Sequence, residues 1–161
     1  MGANDLSFSS GPSTTLGATG QYSFASGINV TASGLNSMAI GDGTVASGKQ
    51  SFATGLDTNA TRNEASAFGR YTSATGQASA AFGYGSTASG LSSSAFGYGS
   101  TASGRYSSSF GNATVAKAFS SLSAGSYNEN LGGSITSWVL TDPLFQIGNG
   151  TSSASRSDAL T

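Results

Sequence analysis

The sequence predicts an all-β solenoid of parallel strands wound in fourteen-residue coils, and three observations carry that prediction. Glycine returns at every seventh residue: stepping from Gly20 to Gly132 visits seventeen positions, of which fifteen are glycine and two are Arg62 and Ala118, out of 24 glycines in the chain. Self-similarity at a fixed period marks a repeat array. The true unit is a pair of unequal sevens, clearest where GQASAAFGYGSTAS (76–89) is followed by GLSSSAFGYGSTAS (90–103). Within each half, Ser/Thr, Ala and Gly alternate with more variable residues, the period-two signature of a strand.

Taken in order, residues 1–19 form a lead-in or capping segment with one apolar cluster, Leu6 and Phe8, a Gly11-Pro12 break, and half a repeat from Thr15 to Gly20. Terminal repeats of a solenoid are atypical because one face has no neighbour. Residues 20–132 are the repeats proper: seven regular coils to 118, beginning after Gly20, Gly34, Gly48, Arg62, Gly76, Gly90 and Gly104, then a degenerate coil in which Ser126-Tyr127-Asn128-Glu129-Asn130 breaks the pattern. The glycines, with the two residues after each, are expected to supply the turns, since glycine takes positive φ without cost. Coils stacked at ~4.8 Å make seven of them a rod on the order of 34 Å long. Residues 133–161 read as a small β segment, a cap or a junction to a following module. There, 134–140 and 144–150 are expected as two strands about an Asp142-Pro143 turn, with 156–161 pairing back across Gly148-Asn149-Gly150.

Volume constancy shows which face is inside. Ala32, Ala46, Ala60, Ala74, Ala88, Ala102 and Ala116 fill one column in every unit, and Ala25, Ala39, Ala53, Ala67, Ala81 and Ala95 fill its counterpart until Ser109. A stacked interior column cannot change volume from coil to coil without voids or strain. The Ser/Thr-x-Ala columns are therefore interior, and Ser26, Ile40, Thr54, Phe68, Phe82, Phe96 and Phe110 point outward beside Phe24, Met38, Phe52, Ser66, Ala80, Ser94 and Ser108. The two outward columns trade bulk: Phe24 and Phe52 stand next to Ser26 and Thr54. An exposed ladder of this length exceeds the apolar patch a monomer usually carries, and burying each Phe is worth roughly 1.5–3 kcal/mol. The expectation is an obligate oligomer whose shared core is Phe24, Met38, Ile40, Phe52, Phe68, Phe82, Phe96 and Phe110.

Composition narrows function. Net charge is −1 with six basic residues scattered singly, so no electrostatic footprint for nucleic acid or an anionic membrane is present. The chain has no cysteine and no histidine, and its seven carboxylates are not paired on one column, so the sequence offers no disulfide framework and no catalytic constellation, and no cofactor or metal is expected. Gly41-Asp42-Gly43 is a lone fragment of a calcium-binding β-roll turn, a motif that needs Asp in every turn. The start lacks the regions of a signal peptide and no apolar run reaches the ~20 residues of a membrane helix; any export address and anchor is expected outside this stretch. Aromatic and basic residues near turns, Arg70, Tyr71, Tyr84, Tyr98, Arg105 and Tyr106, are candidate surface contacts, since such side chains are favoured as hot spots. The plainer reading, that they cover turn backbone or contact a neighbouring subunit, is the one preferred for them.

The repeat also resembles a known family. Ser37-Met38-Ala39-Ile40-Gly41 and Ser94-Ala95-Phe96-Gly97, each followed by x-x-Ser/Thr-x-Ala-x-Gly, are similar to the head repeats of YadA-like trimeric autotransporter adhesins over about residues 14–132. The resemblance implies a left-handed parallel β-roll, three chains packed side by side, and display at a cell surface. Phe replaces the family's usual aliphatic residue before the mid-repeat glycine. In place of neck and stalk heptads, 142–161 resembles junctions of fibre-like surface proteins and phage tail fibres. The expected function is a non-enzymatic homotrimeric head that binds host matrix, a cell surface or a glycan by avidity. A structural fibre spacer is the alternative and an ice-binding β-solenoid the next, although the outward pairs Thr31/Ser33, Val45/Ser47, Asn59/Thr61 and Ser73/Thr75 are mixed for a lattice-matched array.

Overall fold

The computed structural model describes residues 2–8 and 16–161; the Gly11-Pro12 break lies outside the described residues. Each coil holds a five-residue strand and a two-residue strand, as in Phe24–Ile28 followed by Thr31–Ala32. The short strands, from Gly17–Ala18 to Val115–Ala116, form one parallel sheet of eight. The long strands form the other: Asn4–Phe8, then Phe24–Ile28 and its successors to Leu122–Ser126, then Phe145–Asn149, all parallel, closed by antiparallel Asp158–Leu160. From Phe24 to Leu122 every rung pairs residue i with i+14, so identical residues stack: Ala81 on Ala95, Phe82 on Phe96, Gly83 on Gly97. No helix occurs among the described residues. The predicted β-solenoid of fourteen-residue coils is the fold observed.

The interior columns are as expected. The thirteen alanines named above are fully buried, and Ser109 takes its place among them. The neighbouring Ser column is buried as well, and, except at Ser37, whose hydroxyl meets no partner, its hydroxyls close turns: Ser23, Ser51, Ser79, Ser93 and Ser107 donate Oγ–H to the carbonyl oxygens of Gly20, Gly48, Gly76, Gly90 and Gly104 at 2.7–2.8 Å. A buried hydroxyl needs such a partner. Where Arg62 interrupts the glycine beat, Ala65 stands in the Ser column. A third buried column runs Val30, Thr44, Thr58, Thr72, Ser86, Ser100, Thr114. Ser86 donates to the carbonyls of Phe82 and Gly97, whereas the hydroxyls of Thr44, Thr58 and Thr72 meet no partner. There threonine acts as a near-isostere of Val30.

The expectation that glycine supplies the positive-φ turns is corrected. The mid-repeat glycines lie inside the long strands, at φ from 99° at Gly125 to 129° at Gly41 and Gly55. A Cβ at Gly97 would land on the carbonyl oxygen of Gly111 in the next coil. They are glycine because two backbones approach there. The turns instead place a left-handed residue two positions after each beat, mostly without glycine: Asn36 (φ 55°), Gln50 (56°), Asp57 (51°), Glu64 (61°), Tyr71 (58°). Left-handed geometry costs an L-residue roughly 1–2 kcal/mol. It is held because the N–H then reaches the previous coil: Asn36 to Gln21 O at 2.9 Å, Gln50 to Leu35 O at 2.7 Å, Tyr71 to Leu56 O at 2.8 Å. The ladder thus continues around both corners.

The C-terminal end departs from the repeat. The step from Leu122 to its register partner Phe145 is nine residues longer than the regular step. The expected strand at 134–140 does not form. Its backbone is engaged by coil corners instead: Arg105 N–H donates to Ile135 O at 2.8 Å and Phe119 N–H to Ser134 O at 2.7 Å, while the Asp142 carboxylate accepts from Ser134 N–H. The second expected strand forms as Phe145–Asn149, and 156–161 pairs back on it through Asp158–Leu160. No short strand follows Val115–Ala116. In its place the buried Asn128 side chain accepts from Val115 N–H at 2.7 Å and donates to Val115 O at 3.0 Å, reproducing one rung with an amide. Behind it Gln146 fills the alanine column and donates to Glu129 O and the Asp158 carboxylate. Arg156 completes the closure by donating to Ala113 O and Asn128 O.

Candidate functional site

Residues 1, 3 and 5 of each long strand face outward, so the outer face of the long sheet is three columns wide. Ile40, Phe68, Phe82 and Phe96 are half-buried on it, as are Phe24 and Phe52; Met38 and Phe110 are 38% and 42% exposed. Parallel in-register stacking sets Phe68, Phe82, Phe96 and Phe110 face to face, with centroids 4.7–5.1 Å apart and planes within 8°. Bulk changes columns between Phe52 and Phe68, and there the rings meet edge-on at 85°. Such contacts are worth ~0.5–1.5 kcal/mol beyond area. They explain how one chain keeps these rings partly covered while leaving the face open.

The structure extends this face beyond the residues named from the sequence. Ile28 and Leu56 stand in its third column, Leu6 and Phe8 continue it upward, and Leu122, Phe145 and Ile147 continue it downward. Ile28 and Leu56 were findable by stepping fourteen along the third column. Leu122 was findable in the same way, fourteen past Ser108, whereas Leu6, Phe8, Phe145 and Ile147 sit where the register step is not fourteen: Asn4 pairs with Phe24 and Leu122 with Phe145.

The six candidate contact residues fall on two separate corners. Arg70, Tyr71, Tyr84 and Tyr98 gather where the long strand ends. The Arg70 guanidinium donates to the Tyr71 hydroxyl at 3.1 Å and lies 4.8 Å and 5.8 Å from the Tyr71 and Tyr84 ring centroids. Tyr84 and Tyr98 are the last residues of their strands, not turn residues, and stack at 5.0 Å with planes 4° apart. One face of each ring is thus turned to the other, while both side chains stay exposed. Arg105 and Tyr106 occupy the corner that leads into the long strand, where Arg105 lies 5.7 Å from the Tyr106 ring and Tyr106 packs edge-on against Phe119 at 5.4 Å. Among the described residues there is no pocket and no group of His, Cys, Asp or Glu placed to hold a metal ion. The chemistry on offer is that of a surface: an apolar face bordered by an aromatic, cationic ridge.

Comparison with known proteins agrees with this geometry. The family described as YadA head domain repeat (2 copies) matches residues 18–44, 32–58, 46–72, 74–100 and 88–114, and successive matches begin at whole multiples of the coil. No curated protein matches the chain. The matched segments span more than half of the sequence and coincide with the stacked coils, and the chain belongs to the YadA head domain repeat family.

Proposed function

We propose that the chain is one protomer of a homotrimeric adhesive head, displayed at a cell surface or on a fibre, which binds host matrix, a cell-surface receptor or a glycan by avidity. Membership of the YadA head family supports an adhesin-type head in general terms. The observation that carries the trimer is the outer face of the long sheet, with its apolar residues running from Phe8 to Ile147. Its interior counterpart is Ala, Ser and Thr, which bury little apolar area per coil, so the Phe face is the larger reserve of hydrophobic stabilisation. Three copies in a rod present the corner ridges three times, and linked weak contacts then add through effective concentration.

Sedimentation at micromolar concentration should give a trimer; a folded, stable monomer would overturn this assembly. Phe96→Asp should abolish the trimer, because three carboxylates would meet in its core, whereas Tyr98→Ala should leave it intact. Binding of the isolated trimer to immobilised matrix proteins and glycans, weakened by Arg70→Ala or Tyr84→Ala, is the expected adhesin result. A trimer that binds none of these surfaces would be a spacer.

A further inference from the structure

The nine extra residues of the last coil form a loop that no repeat requires. It lies along the corners of two coils, fixed by Arg105 N–H to Ile135 O and Phe119 N–H to Ser134 O. That anchorage sets it at the height of the rungs Ser108–Asn112 and Leu122–Ser126. It is held by its backbone and the Asp142 carboxylate, and it leaves several large apolar side chains open: Ile135 46% exposed, Trp138 53%, Leu140 86%, Leu144 40%. Trp138 is the single tryptophan of the chain. The loop runs directly into the apolar face, since Leu122 N–H donates to Leu144 O at 2.7 Å and Phe145 follows. On that face and at that height the Phe column has a gap. Ala124 stands between Phe110 and Ile147.

We infer that this loop is an intersubunit clamp in which Trp138 of one protomer enters the Ala124 recess of a second copy of the chain. The inference rests on the trimeric reading above. Parallel protomers related by rotation about an axis along the solenoid keep equal rungs at equal height. An exposed indole carried by a loop anchored at those two rungs, and a one-residue gap on the lower of them, can therefore meet between chains. The face is continuous with the loop through Leu144, and Asp142, the one charge in 131–144, is turned back onto Ser134 N–H. The loop itself therefore presents no free charge to an apolar neighbour. The clamp also fixes axial register. Chains built of near-identical coils could slip by one rung at little cost, but a slipped chain would present Phe110 or Ile147 to the indole in place of Ala124.

The lone tryptophan makes the test direct. In the wild-type trimer its emission should be blue-shifted and shielded from acrylamide, and in the Phe96→Asp chain it should be red-shifted and quenched freely. Ala124→Phe restores the ring that the four preceding rungs carry, so sedimentation should still show a trimer, but Trp138 should be expelled and its emission should shift to the red. Trp138→Ser should weaken trimer formation at least ~10-fold, as expected for a buried aromatic anchor. A trimer whose Trp138 is already open to acrylamide overturns the clamp and leaves the trimer standing, as does an Ala124→Phe trimer with unchanged emission. A chain that sediments as a monomer throughout overturns both.

Discussion

The regular coils between Phe24 and Ser126 and the closing segment after Tyr127 solve the same problem with different chemistry. In the coils, each backbone rung is satisfied by the next coil, at a fixed step of fourteen, and the interior needs only Ala, Ser and Thr. At the end there is no next coil, and an unpaired buried amide or carbonyl is costly. There the side chains of Asn128, Gln146, Arg156 and Asp158 stand in for backbone, and the alanine column turns polar through Ser109, Ser123 and Gln146. At the opposite end Asp5 occupies the alanine register, and its carboxylate accepts from the Ser7 hydroxyl and N–H, which hold it below the usual range. Regularity is thus cheap in the middle of a solenoid, and specificity is concentrated where it stops.

Five substitutions sharpen that contrast. The largest effect is expected within the coils at the glycines where backbones touch. Gly97→Ala places a methyl on the Gly111 carbonyl at φ 121°, and should destabilise by ~4 kcal/mol or more in urea unfolding. Gly90→Ala also brings a methyl onto a backbone carbonyl, that of Gly104, but it does so without a positive φ and in the column that already accepts Arg62 and Ala118, so it should cost less, ~2 kcal/mol. Equal losses at the two sites would contradict the different roles given to the two halves of the glycine beat. Next comes the closure: Asn128→Ala strips partners from Val115 N–H and O together, a loss of ~3 kcal/mol. Hydrogen exchange should quicken at Val115 and its neighbours while Ala39 and Ala53 stay protected. The smallest effect is Thr58→Val, which removes a buried hydroxyl without a partner. It should leave stability unchanged or raise it by up to ~1 kcal/mol, whereas Ser86→Ala, which loses a hydroxyl proton shared between two carbonyl oxygens, should lower it by about as much.

Much of the candidate surface is legible in the sequence, and the reason is periodicity. Once the step is fourteen, Arg70, Tyr84 and Tyr98 must lie on one edge, and Arg105 and Tyr106, seven out of phase, must lie on the other. The outward Phe ladder follows from the alternation in the same way. What was misread is the glycine itself. Glycine signals positive φ or close approach, and sequence cannot say which. In the mid-repeat column both hold, inside a strand, while the turns take their left-handed residues from Asn, Gln, Asp, Glu and Tyr because a hydrogen bond to the previous coil holds them there.

The sequence by itself determined the coil length, the inside and outside of each coil, and the apolar face, because a stacked array imposes the same environment on every fourteenth residue and the composition of each column reports it. Tertiary structure alone decided the ends. Asn128 and Gln146 take the place of a missing coil through contacts made only when 145–149 returns to the sheet, and the Trp138 loop lies against Arg105 and Phe119 only because those corners offer N–H groups that no further coil claims. Where the period fails, position no longer encodes neighbourhood, and the partners of a residue are fixed by the path of the chain.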